Sequence, residues 1–492
     1  MEIIYKETAA ELLVSKKELA AQVTGELPSP DGRSVNRVLW AVPGIRLNSI
    51  STESGAVVFE GRITVSVNAL DLNDELFSYN SGASFRQSVE IPEADKGMTA
   101  KIASSVRSIT LAPSPNGASM EAEVDFDIRV LSAAPVRACM GAKDADDIEV
   151  KTRPIKTYIK RYIGTKTLDL REEITVDEPV GVISSESTVN IKDVISDQGG
   201  AVVSGSITVS AVTLDSRGAV SQTVKQIPFR ERLSISIDGD GVFCKVNNSS
   251  VYLRSLGDDF PMIAIEAQIE LEFFAADEFE AEMPVDMFSP TCGISAVKED
   301  LMLYNERGNV CVQTTMKDSV EVPENTPPIK EILYASAVPV VTGAVCERDG
   351  ITVNGILSTT VAYLSEYGIK DSFKTNVNFQ VSLPVVTPSE SSDINAECVA
   401  STVMGGDRNV QIQYFLSVAA NIVSLDEVSI VTSLAEAPVK VNEPGIMIIF
   451  ASEGEDVFDI AKRFSVSCES VRKLNPDVAE PFKDGNKLLM MV

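Results

Sequence analysis

Histidine is missing from all 492 residues of the chain, and that absence removes whole classes of chemistry. Without imidazole there is no Ser-His-Asp or Cys-His nucleophile, no zinc site with nitrogen ligands and no histidine-based pH switch. Any catalysis would rest on carboxylates, Lys, Tyr or Cys. Positive charge is also scarce: 43 Lys and Arg against 71 Asp and Glu leave a formal charge of −28. Such a surface repels phosphate backbones and anionic lipid, so neither nucleic acid nor a membrane is an expected partner, and a basic protein surface is. No CxxC pair occurs; Cys139, Cys244, Cys292, Cys311, Cys346, Cys398 and Cys468 are odd in number and scattered, the pattern of reduced thiols in a cytosolic protein. Long apolar runs are absent too. The opening MEIIYKETAAELLVSKKELAAQ carries charges where a signal peptide needs an uninterrupted apolar stretch. The longest apolar run near the C-terminus, Ile446–Ala451 (IMIIFA), is far short of the roughly 20 residues a membrane helix requires. A cytoplasmic location without membrane insertion is the expectation.

What remains is globular in composition, 44% hydrophobic and 23% charged. At roughly 150 residues per domain the length predicts about three domains. Comparing the chain with itself sharpens this. Gly61 lies in VVFEGRITVSVNAL, Gly205 in VVSGSITVSAVTL and Gly355 in ITVNGILSTTVAYL, 144 and 150 residues apart. In register with these glycines stand Val38, Val182 and Ile332; Leu39, Ile183 and Leu333; Leu70, Leu214 and Leu364; Phe85, Phe229 and Phe379; and Val89, Leu233 and Leu383. The repeated glycine marks a bulge or a close approach of backbone; a ligand-binding turn is the other reading.

Each copy then alternates strictly. Met120, Ala122, Val124, Phe126, Ile128 and Val130 are separated by Glu, Glu, Asp, Asp and Arg. Copy two runs from Ile263 to Phe273 and copy three from Val410 to Val418 in the same way, the period of half-buried antiparallel strands. Further strands are predicted at Val136–Met140, Phe279–Met283 and Val428–Thr432. The fold class is therefore mainly β: three tandem antiparallel sandwich- or barrel-like domains over 1–150, 151–305 and 306–440. Thr8–Val23 reads as a helix by propensity, or as a strand. Lys151–Arg161 (KTRPIKTYIKR) is the one basic cluster, a docking strip for an acidic partner or a solvated strand.

From 443 to 492 the pattern changes. After a strand at Ile446–Ala451, Val457, Phe458, Ile460, Ala461 and Phe464 share one helical face, with Asp456 placed as N-cap and Lys462 and Arg463 near the end. Ser467 caps a second helix carrying Val471 and Leu474, which stops at Asn475 and Pro476. A closing strand at Lys487–Met491 completes a small β-α-α-β unit.

This segment resembles a LysM domain. The matching residues are the aromatic Phe450, the string Gly454, Glu455, Asp456, Val457 and Phe458, the run Ile460, Ala461 and Phe464, the Leu474-Asn475-Pro476 triplet, and the closing Gly485 and Leu488. LysM domains bind N-acetylglucosamine polymers between two loops, here Gly454–Val457 and Asn475–Ala479; Asp456 replaces the family threonine. Three β domains followed by such a module resemble the SPOCS-domain spore-coat morphogenetic proteins of spore-forming Gram-positive anaerobes. The phrases RVLWA (Arg37–Ala41), EILYA (Glu331–Ala335) and Phe288-Ser289-Pro290 carry that resemblance, while copy two has Gly181, Ile183, Ser184 and Ser185 where the others carry Trp40 or Tyr334.

The resemblance implies a non-catalytic adaptor in the mother-cell cytoplasm, at the forespore surface and in the coat. Its LysM domain would bind the coat scaffold ATPase, stage IV sporulation protein A, and its body other coat proteins. The implied contact residues are Glu455, Asp456, Val457, Lys462, Asn475, Pro476 and Asp477, with no cofactor, metal or catalytic residue. The alternative is peptidoglycan binding through the same loops, and a third class is a carboxylate-pair glycosidase. Self-association through edge strands of the β domains would suit a coat protein.

Overall fold

The computed structural model describes residues 2–143, 145, 147–176, 180–197, 200–234, 242–256, 262–347, 350–384, 390–405, 409–438 and 445–491. It is mainly β, 78% strand and 4% helix.

The first unit contains β1 (Ile3–Thr8), β2 (Leu12–Pro28), β3 (Arg37–Glu53), β4 (Ala56–Leu70), β5 (Leu76–Glu90), β6 (Thr99–Ser114), β7 (Gly117–Ser132) and β8 (Val136–Ala142). The second contains β9 (Glu149–Thr175), β10 (Val180–Asp197), β11 (Gly200–Asp215), β12 (Val220–Leu233), β13 (Val242–Ser255) and β14 (Met262–Phe288). The third contains β15 (Ile294–Glu321), β16 (Ile329–Glu347), β17 (Gly350–Ser365), β18 (Lys370–Pro384), β19 (Glu390–Gly405) and β20 (Asn409–Glu436). One topology recurs in each. A meander, β3-β4-β5, β10-β11-β12 or β16-β17-β18, faces a second layer, β2-β7-β6, β9-β14-β13 or β15-β20-β19; the first and third of these layers are the halves of one six-stranded sheet, β19-β20-β15-β2-β7-β6, joined at Leu12 and Leu303. The apolar alternation of β7, β14 and β20 points into this gap, so each unit is a two-sheet sandwich with its own core. In the first unit Phe59, Phe85 and Phe126 meet there, with ring centroids 4.9 and 5.7 Å apart.

The repeated glycine marks both a close approach and a neighbouring bulge. Gly61, Gly205 and Gly355 pair across the ladder with Phe85, Phe229 and Phe379, and a Cβ would come within 2.7 Å of the Phe ring in every case. On the other side, a bulge directly follows the residue opposite each glycine: Leu47/Ser49, Ile191/Asp193 and Val341/Gly343. The phenylalanine thus lies over the space the glycine leaves, while the bulge adds local twist.

Two of the remaining sets of recurrent residues join the units. Leu39, Ile183 and Leu333 meet Leu70, Leu214 and Leu364 in one shared cluster, where the Trp40 and Tyr334 rings lie 4.5 Å apart. Copy two, lacking an aromatic there, supplies Glu186, which accepts a hydrogen bond from the Ser336 hydroxyl at 3.1 Å. Burial pushes this carboxyl up to about 7. A second shared core forms a hub from Val136 and Ala138 of the first unit, Met283 of the second, and Leu303 and Ile430 of the third. Beside it the buried Glu306 carboxylate accepts hydrogen bonds from the ammonium groups of Lys101, Lys160 and Lys245 at 2.9, 2.9 and 2.7 Å. Burial opposes the ionisation of Glu306, but the three lysines outweigh it and hold the carboxyl far below its usual range. Desolvation brings Lys160 down to about 8.

Four expectations are settled or changed. Of the two readings of Thr8–Val23 the strand holds: β2 pairs with β7 over its whole length, and this long ladder overrides helical propensity. The separate strands expected at Phe279–Met283 and Val428–Thr432 are the far ends of β14 and β20, which continue into the hub without a turn; only the first unit breaks there, into β7 and β8. The boundary at 305/306 falls inside β15, whose N-terminal half belongs to the hub, and Glu443 lies outside the described residues. The basic strip lies in β9 with Arg153, Lys156 and Arg161 exposed, as a solvated strand would have them, but most of its charges are already paired within the chain. On β9, Lys156 and Arg161 pair with Glu278 and Asp277 of β14 at 2.8 and 2.7 Å, and Lys160 meets Glu306. All seven cysteines are free thiols.

Candidate functional site

The C-terminal segment forms β21 (Ile446–Phe450), α1 (Val457–Phe464), α2 (Cys468–Leu474) and β22 (Lys487–Met491). Local chemistry sets each boundary. The Asp456 carboxylate accepts from the Asp459 amide at 3.0 Å and Asp459 accepts from the Asp456 amide at 3.1 Å, a reciprocal capping box. Ser465, at φ 52°, ends α1 in the left-handed region. The Ser467 hydroxyl accepts from the Ser470 amide at 3.2 Å and opens α2. Val457, Phe458, Ile460, Ala461, Val471, Phe482, Leu488 and Met490 fill the core between the helices and one face of the two-stranded sheet.

This core is completed by the body. Phe288, the last residue of β14, enters it edge-on to Phe458, 5.1 Å between centroids. Charges ring the contact. Lys151 of β9 reaches Asp456 at 2.8 Å and Asp459 at 2.9 Å, and Lys462 reaches Asp286 of β14 at 2.6 Å. The Cys468 amide at the start of α2 donates to Glu149 at 2.9 Å. Burial disfavours ionised Asp456 and Asp286, but Lys151 and Lys462 respectively overcome it and hold both carboxyls below their usual value. Burial, with Glu149 close by, pushes the Cys468 thiol up to about 12, so it stays protonated and unreactive.

The seven residues singled out from the sequence therefore separate. Val457 is buried at 4% exposure and serves the core, so it presents no side chain to a partner. Glu455 closes its own loop, accepting from the Ser452 amide at 2.8 Å and pairing with Arg463. Asp456 and Lys462 hold the body. Asn475 staples α2 to β22: its amide donates to the Val471 and Leu489 carbonyls at 2.8 and 2.9 Å and its oxygen accepts from the Leu489 amide at 2.6 Å. Pro476 and Asp477 are exposed, and with Ala479 they form the accessible part of the second loop.

One surface was missed. Ile446, Ile448 and Phe450 of β21 stand on one face with Leu489 and Met491 of β22, paired Ile446 to Met491 and Ile448 to Leu489, and that face points to solvent. The signal lay in the run IMIIF followed by LLMM: a sheet covered on one side only should alternate, and these strands do not. Elsewhere, a polar cleft of about 530 Å³ between the units is lined by Lys245, Asn309, Glu397 and Asn421 among others. Its amides are engaged within the chain, Asn309 donating to the Cys244 carbonyl at 2.7 Å and Asn421 to Asp393 at 2.8 Å. No helix among the described residues is long and apolar enough to cross a membrane. No protein-family model, curated protein or solved structure matches the chain.

Proposed function

We propose that the chain is a non-catalytic adaptor of the spore coat. Its C-terminal module docks on the coat scaffold ATPase, stage IV sporulation protein A, and its three-unit body presents further coat proteins at the forespore surface in the mother cell. The observation that supports this most is the capped β-α-α-β module, whose elements fall where the LysM-like residue string puts them, with Asp456 in place of the family threonine. It packs on the three-unit body through Phe288, Lys151 and Asp286, and Pro476, Asp477 and Ala479 of its second loop are exposed. Glycan binding fits this chain less well. The first wall of the expected groove holds Glu455 and Asp456, and both carboxylates are already paired, with Arg463 and Lys151. A neutral sugar amide would have to displace those ion pairs.

The test is binding of full-length chain to purified scaffold ATPase, with Asp477→Arg and Pro476→Asp variants that leave the module core untouched. The adaptor reading predicts micromolar or tighter binding that at least one variant weakens about tenfold. No binding by the wild-type chain, alongside measurable affinity for N-acetylglucosamine oligomers, would replace it with the glycan reading.

A further inference from the structure

The outward face of the β21–β22 sheet is apolar and open to solvent. Ile446, Ile448, Phe450, Leu489 and Met491 are exposed at 71, 65, 60, 39 and 57%. Five side chains of this size offer roughly 600 Å² of contiguous apolar surface, as large as the biggest patches that single chains leave in water. The module cannot cover the patch itself. Its helices pack on the opposite face of the sheet through Leu488 and Met490, and the body holds the α1 side through Phe288, Lys151 and Asp286.

From this geometry we infer that two chains pair face to face through the β21–β22 sheets, an isologous contact that adds to the adaptor reading and does not depend on it. Three observations select a second copy as the occupant. First, pairing two such faces buries about 1,200 Å², the lower end of specific interfaces. Second, the face has a single charged side chain, Lys487, whose ammonium sits 6.0 Å from the Phe450 ring; β21 and β22 contain no acid, so nothing there selects a charged foreign partner and nothing repels an identical one. Third, the remedy is the one the chain uses three times already. Each sheet of the body covers its apolar face with another sheet, and two β21–β22 ladders stacked across a twofold axis give the same two-layer packing.

The charge of −28 supplies a diagnostic. Two such bodies repel, and salt screens the repulsion without weakening apolar contact, so association strengthens with salt where an ion-paired interface would weaken. The experiment is sedimentation equilibrium of the full-length chain from about 1 to 100 µM at low and high sodium chloride, with Ile448→Glu and Leu489→Glu as separate variants, each checked by circular dichroism. The expected result is a monomer–dimer equilibrium in the micromolar range, tighter at high salt and weakened about thirtyfold or more by either substitution. A wild-type chain that stays monomeric at 100 µM in both salts overturns the inference, and so does a dimer that persists in both variants. Scaffold-ATPase binding is read separately: a monomer that still binds removes only this inference, whereas a dimer that fails to bind removes only the adaptor reading.

Discussion

The three-unit body and the C-terminal module solve the same problem differently. In the body the alternating apolar faces of β7, β14 and β20 each find a second sheet, and the acids in between lie on the other face, as along Met120–Val130. The module has the better local signals, two capped helices and ten buried core residues of its own. Yet it is the incomplete part: it borrows Phe288 from the body and leaves a sheet face bare. Alternation in a strand marks an element satisfied within its own fold. Loss of alternation, as in IMIIF, marks one that needs a cover from elsewhere.

The comparison can be broken most severely at the centre of the body. Glu306→Gln leaves three ammonium groups converging on a neutral amide, and unfolding free energy is expected to fall by about 3–5 kcal/mol. Chemical denaturation measures this, and a loss below about 1 kcal/mol would mean that the cluster does not hold the units together. Phe288→Ala opens a gap in the module core and is expected to cost about 3 kcal/mol of docking, visible as faster amide exchange in α1 and α2 while β2–β7 stays protected. If the helices keep wild-type protection, the module completes itself without the body.

Glu186 gives a pH-dependent handle. Its carboxyl is raised in the folded chain to about 7 from an ordinary 4.5, so its contribution to stability is present in full below 4.5 and is lost as pH rises towards 7. Glu186→Gln should remove that slope and make the protein more stable than wild type at pH 8 by about 2 kcal/mol. Equal stability at pH 8 would show that water reaches the carboxylate. The smallest effect is expected at the rim. Lys151→Gln should loosen the module by about 1 kcal/mol, and less at high salt, because its partners Asp456 and Asp459 are partly exposed. Both interface carboxyls with lowered values, Asp456 and Asp286, keep their charge down to acid pH, so the docked state should persist at neutral pH and open only as pH falls below about 4.

What could be read from the sequence follows from distance along the chain. The module was legible because its determinants are local: Asp456 caps a helix three residues away and Asn475 ends one four residues after Val471. The strand pattern was legible because each Gly-Phe pair recurs in register with a bulge beside it. The docking of module on body was not, since Phe288 and Phe458 lie 170 residues apart and Lys151 and Asp459 308. The same distance hid the fate of the basic strip, of which Lys151, Lys156, Lys160 and Arg161 are paired with acids far along the chain. Two of the expected contact residues, Asp456 and Lys462, look like exposed charges in a helical pattern, and only the fold shows that they are already taken.

The most direct test is amide hydrogen exchange of the full-length chain with and without the purified scaffold ATPase. Exchange is expected to slow in the module, centred on Asp477 to Ala479, while the three sandwiches keep their rates. Slowing confined to the body, with the module unchanged, would contradict the adaptor reading.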